Sequence, residues 1–428
     1  MSKNQPSPFL QEPTSAYADP AAATGSLNDF LRQQLNGALQ PPQADTTQPT
    51  QPTEKTDDLL SCIVSTVTEI LHQPLDKHSL DQKLQRLFSH QQAIYASCDV
   101  PADLRKRQYI GQHGLVMSPD HCVTSQKDTL RVRAFIRAVD RAVADLSRRI
   151  PGPLNIVYPA CGPLAPLLLP LIAYYQQQGL YSEQDLQITL IDMQPGAVAS
   201  LNALAETLQI TAFIRDVLHL DGCQYETTEP VHIVVLEAMQ HGFSREGHLA
   251  LARHFAGMMA PDGIFIPREV SVRAVIGEGQ QEYNEQWQGK SGNVFAANMS
   301  PEILNRRIEL GEILSLTPDS LRSLREQQVD QFTSLIECGS VLLPELPDDM
   351  HKPVLLICTR VIAGEYEDGQ EVIGEYDSGI THPLPDMQVC INFVPMEPKP
   401  GDLLVNSGDR LKFYYRLNGL PGFLPTKD

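Results

Sequence analysis

Between residues 154 and 271, short apolar runs alternate with longer segments in which apolar positions recur at helical spacing. The runs are rich in Val, Ile and Leu, which is typical of strands buried on both faces of a parallel sheet. We predict strands at Leu154–Tyr158, Ile188–Asp192, Ala212–Arg215, His232–Leu236 and Ile264–Pro267. Strands that alternate with helices predict an α/β fold.

The segments on either side of this core have other patterns. Residues 1–56 are rich in Pro, Gln, Ser and Thr, and we predict a disordered tail because they can bury little apolar surface. Residues 57–150 show helical periodicity, clearest at Asp57–Gln73, Ser79–Ser97 and 124–149. From residue 272 the chain is predicted to be β-rich, with a polar and mostly helical stretch at about 280–332.

Composition and charge restrict the class of protein. A chain of 428 residues with 42% hydrophobic residues is typical of a soluble globular protein of two or three domains. The net charge of −19 argues against a nucleic-acid partner and suits solubility or a small cationic substrate. No apolar run is long enough to span a membrane, and Met1–Ala22 has no signal-peptide core. The eight cysteines are scattered without metal-ligand spacing, so we expect reduced thiols, a cytoplasmic location and no metal.

The turn after the first predicted strand has the composition of a nucleotide-binding turn. Ala160, Cys161 and Gly162 are small and allow a ligand to approach the backbone closely. Asp192, at the end of the next strand, can accept hydrogen bonds from a ribose diol. The sequence therefore predicts a nucleotide-type crevice at the carboxyl edge of the sheet.

Four motifs, in this order along the chain, resemble the protein arginine methyltransferases, a branch of the class I S-adenosylmethionine (SAM) methyltransferases. The first is Lys127-Asp128-Thr129-Leu130-Arg131, similar to the family's helical K-D-x-x-R segment. The resemblance implies that Arg131 binds the methionine carboxylate of SAM, which suits a guanidinium that can form two parallel charged hydrogen bonds. A surface arginine on an amphipathic helix is the other interpretation.

The second motif is the turn itself, which departs from the family's acidic residue followed by alternate glycines. Tyr158 stands at the acidic position, Ala160 and Leu164 replace two glycines, and Gly162 conforms. The third motif comprises Asp192, at the family's ribose-binding position, and Asp216, where the adenine amine is bound. Asp216 could equally cap a helix. The adjacent residues Met193 and Val217, together with Tyr158 and with Glu237 of the next motif, complete the predicted cofactor-binding set.

The fourth motif is a pair of glutamates nine positions apart, Glu237 and Glu246. In the family, two glutamates at this separation form a hairpin that clamps the substrate guanidinium. Two carboxylates can neutralise such a cation, orient one nitrogen and help to remove its proton. Thr381-His382 resembles the start of a substrate-facing loop, so His382 is a third candidate catalytic residue, although a histidine in a turn is often only solvated.

The resemblance implies a fold and a domain organisation. We expect a Rossmann-like class I methyltransferase core at 151–271, a helical N-terminal lid at 57–150, and a C-terminal β-barrel-like domain at 272–428. The family's dimerisation arm would correspond to about 280–332, where Trp287 has a core or interface role, and a homodimer is expected.

The expected activity is SAM-dependent methyl transfer to a nitrogen of a small amine, amino acid or guanidine-type metabolite. The departures at Tyr158 and in the glutamate segment argue against a protein-arginine substrate. They leave open an enzyme that uses the aminocarboxypropyl arm of SAM and releases methylthioadenosine, because an aromatic ring can face a sulfonium. A non-catalytic interaction protein on a degenerate fold is the remaining alternative.

Overall fold

The computed structural model describes residues 52–240, 242–278, 301–365, 372–377, 382–383 and 389–428. Most of the predicted disordered tail, together with Trp287, lies outside the described residues. Residues 52–56 of that predicted tail belong instead to the first helix, α1 (Pro52–His72). Within the described part of the chain, no helix is long and apolar enough to cross a membrane.

The N-terminal region is helical apart from one small hairpin. After α1 come α2 (Lys77–Ser97) and α3 (Ala102–Lys106), then the hairpin of β1 (Tyr109–Ile110) and β2 (Leu115–Val116). A short helix α4 (Pro119–Cys122), a 3-10 turn (Val123–Lys127) and the long α5 (Thr129–Arg149) follow. The hairpin was not predicted, because its two-residue strands carry no periodic pattern.

A five-stranded parallel sheet forms the α/β core, with β3 (Leu154–Pro159) at its centre. The other strands are β4 (Leu186–Asp192), β5 (Ile214–His219), β6 (Val231–Val235) and β7 (Met259–Ile266). The connecting helices are α6 (Leu169–Gln178), α7 (Pro195–Thr207) and α8 (His248–Met258). The parallel, Rossmann-like arrangement is confirmed, although β5 begins two residues later than predicted and extends to His219, since a 3-10 turn occupies Thr211–Phe213.

The strand order of this sheet is β5-β4-β3-β6-β7. The chain therefore proceeds outward in one direction from β3 through β4 to β5, and in the other through β6 to β7. The loops that leave β3 and β6 diverge at this reversal, and ligands of open α/β sheets bind in the resulting crevice. The turn at Ala160 and the segment at Glu237 are consequently neighbours.

Antiparallel strands dominate the C-terminal region. One sheet has the order β13-β12-β8-β9, and β14 also pairs with β12. Its members are β8 (Glu269–Glu278), β9 (Ile308–Leu316), β12 (Pro353–Glu365), β13 (Val372–Asp377) and β14 (His382–Pro383). A second sheet contains β10 (Glu326–Gln328), β11 (Ser334–Leu342), β17 (Arg410–Arg416) and β18 (Gly422–Lys427), while β15 (Val389–Ile391) and β16 (Leu403–Val405) form a parallel pair. Barrel-like closure of these strands stays a prediction.

The predicted helical arm at about 280–332 is wrong over its described part. Residues 279–300 lie outside the described residues, and from 301 onward only α9 (Pro301–Arg306) and α10 (Pro318–Ser323) are α-helical. The longest element there is the strand β9, which pairs with β8. A strand whose partner is distant in sequence has no local signal that distinguishes it from a polar helix.

Helix α5 joins the two halves of the structure, because it contacts β12 and β13 as well as β6 and β7. Its apolar side chains, including Phe135, Val139 and Val143, are buried. At Gly364 in β12 a Cβ atom would lie 3.2 Å from the Cβ of Ala138, so helix and strand are closely packed. This packing fixes the first turn of α5, where Arg131 lies, at the edge of the parallel sheet.

Candidate cofactor and substrate site

The turn after β3 has a strained backbone. Ala160 and Ala165 have positive φ angles of 51° and 38°, and Gly162 has a φ of 65°. A left-handed conformation costs an alanine roughly 1–2 kcal/mol. Such strain is typical of functional turns, where surrounding contacts hold the backbone. Here the Gly162 N–H donates to Asp192 Oδ2 at 2.9 Å, which ties the turn to the end of β4.

Asp192 is buried at the carboxyl end of β4, as the sequence predicts for a ribose-binding carboxylate. Its Oδ1 atom accepts a hydrogen bond of 2.8 Å from the Gln194 N–H. Burial raises the pKa of Asp192 to about 6, against the lowering effect of the two backbone N–H donors. Each carboxylate oxygen keeps a further lone pair, so Asp192 can still accept hydrogen bonds from a diol.

Arg131 and Glu237 form a buried ion pair. Arg131 Nη1 donates to Glu237 Oε2 at 2.5 Å, and Nη2 donates to the Ser125 carbonyl at 2.6 Å. The side chains are 9% and 14% exposed. Burial raises the pKa of Glu237, and the neighbouring Arg131 lowers it. The residue predicted to bind the cofactor and the residue predicted to bind the substrate are thus in direct contact.

The two candidate glutamates flank a hairpin, the arrangement that the family resemblance implies. The backbones of Gln240 and Ser244 pair as an antiparallel bridge, and the Glu246 N–H donates to the Ser244 carbonyl at 2.8 Å. The Gln240 side chain hydrogen-bonds Glu246 and thereby lowers its pKa. Burial and the charge of Glu237 have the larger effect and raise the pKa of Glu246 to about 8. This electrostatic environment favours a cation between the two carboxyl groups.

Tyr158 and Cys161 complete the floor of the site. Both are buried, and the charges of Arg131 and Asp192 act on Tyr158 as well as that of Glu237. Burial is the main cause that raises the pKa of the Tyr158 hydroxyl and of the Cys161 thiol well above their usual values. Tyr158 therefore stays neutral and contributes an aromatic surface rather than the negative charge usual at this position.

The site is covered by a segment that sequence reasoning did not connect with it. The Cβ of Cys122, in α4, lies 3.4 Å from where a Cβ on Gly162 would be. Met117 and Gln194 are buried and are joined by a hydrogen bond, and Gln240 Nε2 donates to Met117 Sδ at 3.3 Å. The sequence places a cofactor over Ala160–Gly162, whereas in this structure only Ala160 of that turn is exposed. A groove of about 440 Å³ is lined by Leu60, Ser61, Val64, Ser65 and Gln177, none of which belongs to this site.

Two predicted cofactor residues are not brought to the crevice. Asp216 and Val217 lie within β5, and Asp216 is exposed and in register with Thr189, three residues before Asp192. The residue in register with Asp192 is His219, whose Nε2 atom lies 3.0 Å from the Met193 carbonyl oxygen. β5 continues to His219 and does not end at Arg215, so Asp216 lies within the strand and not directly after it. A cofactor-binding role of Asp216 stays a prediction.

For His382 the structure describes only its place in β14, where it pairs with Ile357. A Cβ on Gly242, in the glutamate hairpin, would lie 3.6 Å from the Ile357 Cβ. The strand that bears His382 and the hairpin are thus both adjacent to Ile357. A catalytic role of His382 stays a prediction.

Comparisons with known proteins find similar solved structures of low identity, two of which are described here. No protein-family model and no curated protein sequence matches the chain. The Trypanosoma brucei PRMT1 enzyme–prozyme heterotetrameric complex with AdoHcy is 14% identical, with a TM-score of 0.38 over 70% of this chain and 95% of that chain. Arabidopsis thaliana protein arginine methyltransferase 10, in an open conformation, is 12% identical, with a TM-score of 0.41 over 69% of this chain and 86% of that chain. Both are arginine methyltransferases.

The polar groups of the site fit the chemistry of SAM. Arg131 is a guanidinium at the carboxyl edge of the sheet, Asp192 is a carboxylate with free acceptor capacity, and Gly162 presents a backbone without a side chain. Cys161 and Gly162 are buried, and Cys122 of the covering segment lies against Gly162.

Proposed function

We propose that this chain is a SAM-dependent methyltransferase that acts on a nitrogen of a small amine, amino acid or guanidine-type metabolite. The observation that carries the proposal is the partly buried glutamate pair beside Arg131 and Asp192, at the reversal of strand order. Carboxylates bind cations, the guanidinium binds a carboxylate, and Asp192 binds a diol. These three preferences correspond to a cationic acceptor and to the two polar ends of SAM.

Arg131, Asp192 and the turn at Gly162 would hold the cofactor. Arg131 would bind the methionine carboxylate, Asp192 the ribose hydroxyls, and the Gly162 backbone would allow close approach. When bound, SAM supplies a methyl group that is already activated on a sulfonium. The neutral Tyr158 ring would face that positive charge.

Glu237 and Glu246 would bind and orient the acceptor. In this structure Glu237 is already neutralised by Arg131, while burial keeps Glu246 largely protonated at neutral pH. A bound cation would stabilise the charged form of Glu246, which could then accept the proton that the acceptor nitrogen loses. Positioning and exclusion of water are thus the main contributions of the protein.

A small acceptor is favoured by the cover over the site. The segment that contains Met117 and Cys122 packs directly on the turn and on the glutamate hairpin. Enclosure by the chain itself leaves less room for a folded protein substrate than for a metabolite. A cytoplasmic location and a homodimer remain predictions from the sequence.

The test is product analysis with isotope-labelled SAM and a panel of small amines, amino acids and guanidines. We expect S-adenosylhomocysteine and a labelled acceptor to form, and Glu237→Gln or Glu246→Gln to lower the rate by at least ~100-fold. Glu302→Gln, an exposed residue of α9, is the control and should keep full activity. The proposal is wrong if SAM binds but neither product forms with any acceptor class.

An alternative use of SAM is kept open by Tyr158, which is buried at the end of β3 where a carboxylate is usual. An enzyme that transfers or cyclises the aminocarboxypropyl arm would release methylthioadenosine. Tyr158→Asp should then abolish that product while Tyr158→Phe retains it. An unchanged product in Tyr158→Asp would count against this alternative.

A non-catalytic role is favoured by one observation only, the closed cover over Cys161 and Gly162. If the cover never opens, the chain binds no cofactor and the fold serves interaction alone. Calorimetry with SAM at high micromolar concentration distinguishes the cases, since absence of binding would support this alternative.

A further inference from the structure

The side chain of Gln194 connects the cofactor side of the site to the segment that covers it. Gln194 precedes α7 and is buried, with only 2% of the residue exposed. Its Nε2 atom donates to the carbonyls of Arg107 and Met117, at 2.8 and 2.9 Å. These two residues are the ends of the hairpin formed by β1 and β2. We call residues 107–117 the strap.

The far side of the strap contacts the substrate side of the site. The Leu115 N–H donates to the Arg245 carbonyl at 2.7 Å, directly before Glu246. A Cβ on Gly247 would lie 2.8 Å from the His113 carbonyl oxygen, so the two backbones are in direct contact. The Gly419 N–H donates to the Gln112 carbonyl at 3.0 Å, which adds a contact with the C-terminal sheet region.

The strap has little apolar surface to hold it closed. Its strands have two residues each, Ile110 is 57% exposed, and Gln112 is also exposed. Segments with few buried apolar contacts open locally at much lower cost than a core. The hydrogen bonds at its two ends and at Leu115 therefore account for much of its attachment.

The amide of Gln194 has one defined orientation. Both of its N–H groups face carbonyl oxygens, so the amide cannot be reversed without placing oxygen against oxygen. Its Oε1 atom is buried and has no hydrogen-bond partner among the described residues. A buried acceptor without a donor is unfavourable, and it can be satisfied by a hydroxyl, an amine or a water that enters beside it.

The backbone N–H of Gln194 is hydrogen-bonded to Asp192, the carboxylate predicted to bind the cofactor ribose. The Gln194 N–H donates to Asp192 Oδ1, and the Gly162 N–H binds the other oxygen of Asp192. Any ligand that engages Asp192 therefore lies next to the residue that holds the strap. Residues 192–194 therefore contact both the predicted ligand site, through Asp192, and the strap, through the Gln194 side chain.

We propose that Gln194 is a positioning residue that latches the strap over the site, and that this latch must release for the cofactor to enter or leave. The inference rests on the proposed function for the identity of the cofactor, but the latch itself is a property of the chain alone. Gln194 acts through the strap and through Asp192, not on the reacting atoms.

The test compares Gln194→Ala and Gln194→Glu with the control Gln85→Ala, which changes an exposed glutamine of α2. Amide hydrogen exchange is measured first, on the full chain without added ligand. We expect exchange in residues 109–117 to become roughly tenfold or more faster in Gln194→Ala, because two hydrogen bonds are lost. Gln194→Glu should have a larger effect, since a carboxylate would face two carbonyl oxygens. Gln85→Ala should match the wild type.

The second measurement is the binding kinetics of S-adenosylhomocysteine by stopped flow. A released latch should raise the association and dissociation rate constants together, roughly tenfold each, with a smaller change in Kd. Gln194→Asn, which is one methylene shorter, should give intermediate values and serves if Gln194→Glu does not fold.

The outcomes separate the latch from the proposed function. Unchanged strap exchange in Gln194→Ala overturns the latch, and so does a loss of protection that spreads through β4 and α7, which would indicate a general structural role. If the wild type binds no S-adenosylhomocysteine, the proposed function fails while the exchange data still decide whether the latch exists.

Discussion

The guanidinium of Arg131 donates a 2.5 Å hydrogen bond to the carboxylate of Glu237, 106 positions away along the chain. Arg131 belongs to the helix that joins the two halves of the structure, whereas Glu237 follows β6. Each is nearly enclosed. Either residue alone would be an uncompensated buried charge, so the pair constrains what substitutions the site tolerates.

Removal of one partner should destabilise the protein more than removal of both. Arg131→Met is expected to lower the free energy of unfolding by about 3 kcal/mol, because Glu237 is left charged and buried. The double variant Arg131→Met with Glu237→Leu should recover most of this loss. Urea denaturation provides the measurement, and Arg148→Met, in an exposed pair with Asp145, should change stability by less than ~0.5 kcal/mol. A double variant no more stable than Arg131→Met would contradict the expectation.

The contribution of Glu246 to the stability of the protein should fall as the pH rises from about 5 to 8. Glu246 has its pKa raised from 4.5 to about 8 by burial, then by Glu237. Between these values the folded state holds a proton that the unfolded state has released, so stability decreases by up to ~1.4 kcal/mol per pH unit. Asp192, with its pKa raised from 3.8 to about 6, adds to the decrease at the acidic end.

Glu246→Gln should remove most of this dependence above pH 6, and Glu302→Gln should leave it unchanged. Thermal unfolding across the pH range is the readout. Binding of a guanidinium ligand should show the opposite slope, with affinity that rises towards pH 8 as the carboxylate forms. Equal pH profiles for the wild type and Glu246→Gln would show that this carboxyl group does not titrate in the range.

Ala160→Gly should stabilise the protein. Ala160 is exposed and has a φ of 51°, which glycine adopts without steric cost. We expect a gain of about 0.5–1 kcal/mol after the larger entropy of an unfolded glycine is subtracted. Ala199→Gly, at an exposed position of α7, should have the opposite sign, with a loss of about 1 kcal/mol. The check is the pair of Tm shifts, and a loss of stability in Ala160→Gly would refute the strain at this turn.

A methyl group at Gly114 should detach the strap. A Cβ there would lie 2.7 Å from the Arg245 carbonyl oxygen and 2.8 Å from the Gly247 nitrogen, which are backbone atoms that cannot turn aside. Gly152 also has a positive φ but has nothing within 4 Å of its Cβ position, so Gly152→Ala isolates the backbone cost. Gly114→Ala should increase hydrogen exchange in residues 109–117, whereas Gly152→Ala should not. Equal exchange in both variants would argue that the strap does not dock on the hairpin of Glu246.

Local pattern and motif predicted the parts of the site that belong to regular elements. Runs of apolar residues located β3 and β4, and Asp192 at the end of β4 is in contact with Gly162 in the turn that follows β3. Position along the chain predicted that Arg131 and Glu237 would share the crevice. Their direct ion pair was not predicted. A motif indicates the ligand that a residue binds, but it does not indicate the protein side chain that the residue contacts when no ligand is bound.

The features that the sequence did not predict depend on contacts between residues distant along the chain. Asp216 was placed at a strand end, but the register of β5 against β4 brings His219 there instead. The segment of β9 was predicted as helix, although its partner β8 lies thirty residues away or more. Gln194 carried no motif, and its importance depends on contacts with Arg107 and Met117, which approach it only in the folded chain.

The shared helix α5 has a consequence for anyone who wishes to dissect the protein. Since α5 is packed between β12 and the parallel sheet, a fragment cut near residue 271 would expose the side of the helix that Gly364 covers. The first turn of that helix would lose its support along with Arg131. A fragment that ends near residue 271 should therefore not fold stably by itself. It should also fail to bind ligand, although it retains Arg131, Asp192 and Glu237.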